Sequence, residues 1–156
     1  MTELTPIFTL SDRFVSESAA LDPYSATGRG IPGYDDLVTD FSPDGTAARA
    51  DHVRAALHEL GGMSPLNDDD RLAKDYLTER LQVMVDAFEA GEWMRPLRAI
   101  AAPASTIRSV FDLMPRDGDE AWGHIASRLE SVPDALAGVR ASLEAGRASD
   151  VVSSQR

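Results

Sequence analysis

Apolar residues recur along this chain at steps of three and four, the spacing of one face of an α-helix. No segment alternates convincingly between apolar and polar residues, as a half-buried strand would. We therefore expect an all-α fold: an irregular array of about six mostly antiparallel helices with one long loop, at about 22–41. The predicted stripes are Ile7, Leu10, Phe14 and Leu21; Ala47, Ala50, Val53, Leu57 and Leu60; Leu72, Tyr76, Met84 and Phe88, widened by Leu77, Leu81 and Val85; Trp122, Ile125 and Leu129; and Leu136, Val139 and Leu143.

Caps, prolines and glycines set the predicted helix boundaries. The long loop begins where Asp22-Pro23 ends the first helix, and it holds at most a helical turn near 34–38. The last helix is expected to run from Pro133 to about Ala145 and to stop at Gly146, which leaves a single domain over 1–147 and a polar tail over 148–156. The other predicted starts are Thr5-Pro6, Ser42-Pro43, Asn67, about Ser105 and Asp119 or Glu120, and the stops are Gly61-Gly62, Gly91, Pro115 and Val132-Pro133.

Three glycines in the long loop, Gly28, Gly30 and Gly33, spell G-x-G-x-x-G, the spacing that cradles a pyrophosphate in dinucleotide-binding folds. That chemistry needs a strand before the motif and a helix start after it. Here a helix precedes the motif, and Pro32 removes one of the amides that would bind phosphate. We interpret the segment as a series of sharp turns rather than a nucleotide site.

Charge and composition narrow the possible partners. The chain carries 15 basic and 26 acidic residues, a net charge of −11, so we expect neither a nucleic-acid nor a membrane partner. The 43 % of hydrophobic residues permits a packed core. The chain has no cysteine, and its start shows no signal-peptide pattern, so a cytoplasmic location is expected.

Patterns that could carry chemistry are weak. His52 and His58 lie six apart, on different faces of a helix, and no H-E-x-x-H occurs. The run 67–70 lacks the glycine and glutamate of a calcium loop, so it is interpreted as a helix cap with acids that match the helix dipole. Acidic pairs such as Asp75 with Glu79 are interpreted as a solvated face. We therefore expect no catalytic residue, no cofactor and no metal in this chain.

The order of several phrases is distinctive and resembles one bacterial family, the domain-of-unknown-function 885 family (DUF885), over nearly all of the chain. The most specific phrases are Ala20-Leu21-Asp22-Pro23 with Ala26-Thr27-Gly28, Gly33-Tyr34-Asp35, Phe111-Asp112-Leu113-Met114-Pro115, and Arg128-Leu129 with Val132-Pro133. Members of that family are longer and resemble helical zinc metallopeptidases with an H-E-x-x-H helix. The resemblance implies that this chain is the N-terminal portion of such a protein, truncated or a fragment, and that zinc belongs to the longer relative.

Three functions follow as alternatives. The first is a non-catalytic helical lobe that helps to shape the cleft of a metal-dependent hydrolase, with exposed apolar surface that meets the remainder of its chain or a second copy. The second is a freestanding acidic interaction module. The third, a small-ligand binder, needs a deep pocket lined by Trp93 or Trp122 with convergent polar groups. If the long loop makes functional contacts, we expect Arg29, Tyr34 and Asp35 to supply them; otherwise it packs Tyr24, Ile31 and Tyr34 across the helix ends.

Overall fold

Residues 4–98 and 102–154 are described by a computed structural model of the chain. Within these ranges the chain forms seven α-helices and two short 3-10 turns, with no strand, so the predicted all-α class is confirmed. The helices are α1, Pro6–Leu21; α2, Pro23–Gly28; α3, Pro43–Gly61; α4, Asp68–Glu89; α5, Pro103–Ser109; α6, Gly118–Glu130; and α7, Val132–Ala148, and the 3-10 turns are Glu92–Met94 and Val110–Asp112.

The first three long helices, α1, α3 and α4, pack around one apolar cluster. Burial of these side chains is the main force that holds the three helices together, because removing apolar surface from water is favourable in proportion to its area. The buried members of the cluster are Ile7 and Leu10 of α1, Val53, Ala56 and Leu60 of α3, and Leu81 and Val85 of α4.

A second cluster joins α2, α5 and α7 and the segment that leads into α3. Its buried members are Tyr24, Ile107, Val110 and Ala135. The helix α7 crosses close to the start of α3. There a Cβ added to Gly138 would lie 2.9 Å from the Ser42 nitrogen, and the Ser142 hydroxyl donates to the Phe41 carbonyl at 2.7 Å.

The start of α1 is tied to the start of α4 through Asp70, which is fully buried. The Thr5 hydroxyl donates to Asp70 Oδ1 at 2.6 Å, and the Leu66 amide donates to Oδ2 at 2.9 Å. A buried carboxylate needs such donors, because an unpaired charge in the interior is costly. Asp70 therefore does more than match the helix dipole, the role predicted for it.

The predicted caps are confirmed for three helices. Thr5, Ser42 and Asn67 each have extended backbone, and each side chain accepts a hydrogen bond from an amide in the first turn of its helix. Gly91 follows α4 with φ of 71°, the left-handed conformation that favours glycine at a helix end.

The prediction of an irregular connection from 22 to 41 was wrong for residues 23–28, which are helical. Residues Pro23–Gly28 form α2, because Asp22 ends α1 and caps the next helix in one step: its side chain accepts from the Ser25 amide at 3.2 Å. Proline is well suited to the first helical position. The irregular part starts only at Arg29, and near 34–38 it has a single turn closed by the Leu37 amide and the Tyr34 carbonyl.

The C-terminal boundaries also differ from prediction. The helix expected from about 105 to 114 is α5 followed by a 3-10 turn. The last helix starts at Val132 and continues through Gly146 to Ala148. Gly146 is buried inside it, and an added Cβ would lie 2.5 Å from the Met94 carbonyl oxygen. Glycine is used here for close backbone approach rather than as a stop signal.

Several residues of the predicted apolar stripes face outward. On α4, Leu72 is 72 % exposed and Tyr76 is 64 % exposed, and Met84 is half exposed, while Leu81 and Val85 are buried. On α6, Trp122 and Leu129 are exposed, and the buried face instead carries Ala121, Ile125 and Arg128. Both helices have apolar residues on two faces, and spacing alone does not indicate which face is covered.

None of the helices in the described ranges is long and apolar enough to cross a membrane.

Two glycine substitutions test the close approach at Gly146. Gly146→Ala is expected to lower the free energy of unfolding by about 1–3 kcal/mol, because its Cβ meets backbone atoms that cannot move aside cheaply. Gly123→Ala is the matched control in α6: its Cβ meets nothing within 4 Å, so alanine should stabilise by about 0.5–1 kcal/mol. Urea unfolding followed by circular dichroism measures both. Equal effects would contradict the assigned packing.

Candidate functional site

A fully buried arginine fastens the segment 29–41 to the rest of the chain. Arg128 of α6 has 0 % relative exposure. Its Nε donates to the Leu37 carbonyl at 2.9 Å, and Nη2 donates to the Tyr34 carbonyl at 2.8 Å. Both Nη atoms also lie 3.1 Å from the Thr27 hydroxyl oxygen. One side chain therefore joins α6, α2 and the irregular segment.

Within the part of the chain that the structure describes, the burial of Arg128 is compensated by uncharged hydrogen-bond acceptors and by an aromatic ring rather than by an ion pair. Its hydrogen-bond acceptors among the described residues are all uncharged, and its Cζ lies 4.9 Å from the centre of the Tyr24 ring, within cation–π distance. Burial lowers the pKa of the Arg128 guanidinium, whereas Tyr24, Asp35 and Asp36 act in the opposite direction. Arginine remains charged in proteins despite such shifts.

Two threonines complete the attachment of this segment. The Thr27 hydroxyl, which accepts from Arg128, donates to Asp35 Oδ1 at 2.7 Å. The Thr39 hydroxyl donates to Asp22 Oδ1 at 2.6 Å and accepts from the Tyr24 amide at 3.0 Å. Thr27 and Thr39 are both buried. The segment is therefore held at both ends by side chains of its neighbours and by its own threonine.

The structure does not bring the three loop residues predicted to make contacts, Arg29, Tyr34 and Asp35, to one place. Arg29 is exposed and lines a cleft, described below. Tyr34 and Asp35 are half-buried, and the Tyr34 carbonyl and the Asp35 carboxylate belong to the Arg128 network.

The interpretation of the glycine triplet as sharp turns is confirmed. Gly30 has φ of 71° and Gly33 has φ of 91°, conformations that other residues rarely adopt. Gly28 is the last residue of α2, and the chain continues into irregular structure rather than into a helix start. The turns aim Arg29 and Ile31 at the cleft.

The cleft lies between α1, α2, α3 and α4 and has a volume of about 130 Å³. We call it the Arg49 cleft. Most of its wall is apolar, with a few polar groups that converge on it, which is the composition typical of small-molecule sites. Its apolar lining consists of Phe14, Ala19, Leu21, Ala26, Ile31, Val53 and Met84, and its polar lining of Ser18, Asp22, Ser25, Arg29, Arg49 and His52.

Arg49 of α3 is half-buried and lines this cleft. Its Nη1 donates to the Asp40 carbonyl at 2.6 Å, and its Nη2 donates to the Thr46 hydroxyl at 3.2 Å. Burial lowers the pKa of Arg49, while the charges of Asp22 and Asp40 raise it. As with Arg128, the acceptors found among the described residues are uncharged.

His52 lies one turn further along α3 and closes one side of the cleft. Its ring stacks on Phe14 with ring centres 4.8 Å apart. Nε2 lies 3.4 Å from the Phe14 carbonyl, which can only accept, and 3.2 Å from the Ser18 hydroxyl oxygen. Nδ1 lies 3.8 Å from Glu17 Oε2. His52 is half-buried, as predicted for a histidine without a metal-site pattern.

A second depression, of about 330 Å³, adjoins the Arg49 cleft and shares Asp22, Arg49, Val53 and Met84 with it. Trp93 lines this depression and stacks on Phe88, with ring centres 5.9 Å apart. Trp93 therefore lines a depression whose wall is mostly apolar. Trp122 instead lies exposed on α6.

Sequence reasoning singled out Arg29 but missed the other polar groups of the cleft and the role of Arg128. Arg128 had a usable signal: it stands three residues after Ile125 and seven after Ala121, so it falls on the buried face of α6. Asp22 and Arg49 had no such signal in the sequence, because they line the same cleft only through the packing of α1, α2 and α3.

No group of three or more histidine, cysteine, aspartate or glutamate side chains lies close enough to hold a metal ion within residues 4–98 and 102–154.

Comparison with protein-family models gives a match over most of the chain. The family model described as a bacterial protein of unknown function, DUF885, matches residues 23–156. The matched part includes α2, the Arg128 network and most of the Arg49 cleft, but not α1. No match was found among curated proteins.

The Arg128 network can be tested by substitution. Arg128→Met should lower the free energy of unfolding by about 2–4 kcal/mol, because it leaves buried carbonyls without donors. Arg128→Lys should also destabilise, since a lysine cannot replace the planar fork of donors. Arg140→Met, at an exposed pair with Glu144, is the control and should have little effect. Urea unfolding measures all three, and a stable Arg128→Met would contradict the assigned role.

Proposed function

The chain belongs to the DUF885 family, and from this premise we propose that it is a non-catalytic helical region of a larger, zinc-peptidase-like hydrolase, in which it helps to shape the wall of the substrate cleft. The hydrolase part of this proposal rests on the resemblance of the sequence. The structural support comes from two outward-facing apolar stripes, which fit a region that is covered by further polypeptide.

The first stripe runs along α4 and consists of Leu72, Tyr76 and Val83, which are 72 %, 64 % and 48 % exposed. At steps of four and seven these residues share one face of the helix. The opposite face packs into the first cluster through Leu81 and Val85. We call the outer residues the α4 stripe. A helix that is apolar on both sides is suited to lie between two layers.

The second stripe lies on α6 and consists of Trp122, Ala126 and Leu129, at steps of four and three. Trp122 is 56 % exposed and Leu129 is 53 % exposed. Tryptophan is enriched among the residues that dominate binding energy at protein interfaces. We call this set the α6 stripe. Contiguous apolar surface of this kind typically marks an interaction site, and the remainder of the chain or a second copy would cover it.

The proposal assigns no chemical step to the residues of this chain. A zinc ion in the longer relative would act as a Lewis acid, and the residues that hold it would lie outside this chain. The described residues contribute shape: the stripes present apolar surface to a neighbouring layer, and the Arg128 network holds the irregular segment in place. A cytoplasmic location is part of the proposal, argued from the cysteine-free sequence.

A second candidate, a freestanding acidic interaction module, is favoured by one observation. Four acids, Asp68, Asp75, Glu79 and Asp86, follow one edge of the α4 stripe at steps of seven, four and seven. Together with the net charge of −11, this edge suits an amphipathic helix with basic residues beside its apolar face. In that case the partner is a separate protein.

Reading the gene beyond the codon for Arg156 separates the two candidates. The hydrolase proposal predicts further helical sequence with an H-E-x-x-H motif, and a stop codon would favour the interaction module.

A binding experiment tests the α4 stripe directly. The downstream portion, produced as a separate chain, should form a complex with this chain, and Leu72→Asp/Tyr76→Asp should weaken it at least tenfold because each carboxylate would be buried against apolar surface. The control is Val15→Asp/Val152→Asp, which changes two exposed apolar residues outside both stripes. Size-exclusion chromatography and calorimetry measure the complex. Equal affinities for both variants would contradict the proposal.

A further inference from the structure

The Arg49 cleft combines a half-buried cation, a carboxylate and an apolar wall in a space the size of one side chain. We propose that this cleft binds a small α-amino carboxylate with an apolar side chain, such as a free aliphatic amino acid. The cleft is formed entirely by described residues of this chain, so its ligand does not depend on whether the chain is part of a hydrolase.

Arg49 and Arg29 form the part of the site that would take the carboxylate. Arg49 is held in place by the Leu21 and Asp40 carbonyls and the Thr46 hydroxyl, none of which carries a charge. Arg29 is exposed on the same cleft and forms no ion pair within the part of the chain that the structure describes. A guanidinium presents paired donors that match the two oxygens of a carboxylate. A carboxylate would therefore compensate a desolvated cation.

Asp22 would take the ammonium group. Its two hydrogen bonds, from the Ser25 amide and the Thr39 hydroxyl, both use Oδ1, so Oδ2 remains available for a ligand donor. The Asp22 carboxylate lines the same cleft as Arg49, and its charge acts on the Arg49 guanidinium. A simple anion at Arg49 would be repelled by Asp22, whereas a zwitterion pairs with both.

The apolar wall and the volume restrict the rest of the ligand. Phe14, Ala19, Ile31 and Met84 are apolar residues that line the cleft. Pockets for drug-sized ligands have volumes of roughly 300–1,000 Å³, so a cleft of about 130 Å³ suits a single aliphatic side chain. The net charge of −11 further favours a zwitterion, because an acidic protein repels ligands of net negative charge.

The methyl groups of methionine provide a direct readout. The chain has 5 methionines, and Met84 lines the cleft. Met63 lies in a separate depression next to Leu4 and Pro6, and Met114 is buried elsewhere, so both serve as internal controls. With methyl-labelled methionine in the full 156-residue chain, L-leucine should shift the Met84 resonance in a saturable way and leave Met63 and Met114 unchanged.

Ligand analogues test each charged contact. Leucinamide lacks the carboxylate, and 4-methylpentanoate lacks the ammonium group, so each should bind at least tenfold more weakly than L-leucine. Equal binding of leucinamide would overturn the assignment of the carboxylate to the arginines. Equal binding of 4-methylpentanoate would overturn the role of Asp22.

A substitution of an exposed residue at the rim tests where the ligand binds without disturbing the fold. Arg29→Gln should weaken L-leucine binding three- to tenfold, because Arg29 is exposed and lines the cleft. Arg147→Gln is the matched control: it removes the same charge from the exposed end of α7. The proposal is overturned if L-leucine produces no saturable Met84 shift, or if the two variants bind it equally.

Discussion

A single guanidinium, that of Arg128 in α6, connects this helix to α2 and to the irregular segment that follows α2. It donates to the carbonyls of Tyr34 and Leu37 and to the hydroxyl of Thr27, and it lies over the ring of Tyr24. A segment with little regular structure has few backbone hydrogen bonds of its own, so its conformation depends on such side chains. The position of the segment between α2 and α3 depends on this contact together with the hydrogen bonds of Thr27 and Thr39.

The Arg49 cleft depends on that position. Arg29 and Ile31 reach the cleft because the segment leaves α2 through turns with left-handed glycines and is then held by Arg128. Asp22 links the two features, since it ends α1, caps α2, and accepts from Thr39 while it lines the cleft. The Arg128 network and the Arg49 cleft therefore depend on the same segment and share Asp22 as a link. The exposed stripes of α4 and α6 lie outside it and form the surface that we assign to further polypeptide.

The sequence predicted the fold class, the caps at Thr5, Ser42 and Asn67 and the resemblance to DUF885, because these depend on short-range patterns. It failed where tertiary contacts decide. The α4 pattern contains two apolar faces, and only packing against α1 and α3 makes Leu81 and Val85 the buried one. Gly146 was predicted to end the last helix, yet it lies inside α7. This position requires glycine because the chain near Met94 passes too close for a Cβ. Of the cleft, the sequence indicated only Arg29, because Asp22, Arg49 and Arg29 come together through three separate elements.

The most direct test of the central claim is amide hydrogen exchange in Arg128→Lys, measured together with the response of Met84 to L-leucine. If Arg128 holds the segment that forms the cleft wall, the amides of 29–41 should exchange faster and the Met84 response should weaken, while the amides of α1, α3 and α4 keep their protection. If exchange in 29–41 is unchanged, or if it rises while the Met84 response remains at full strength, the proposed dependence of the cleft on Arg128 is wrong.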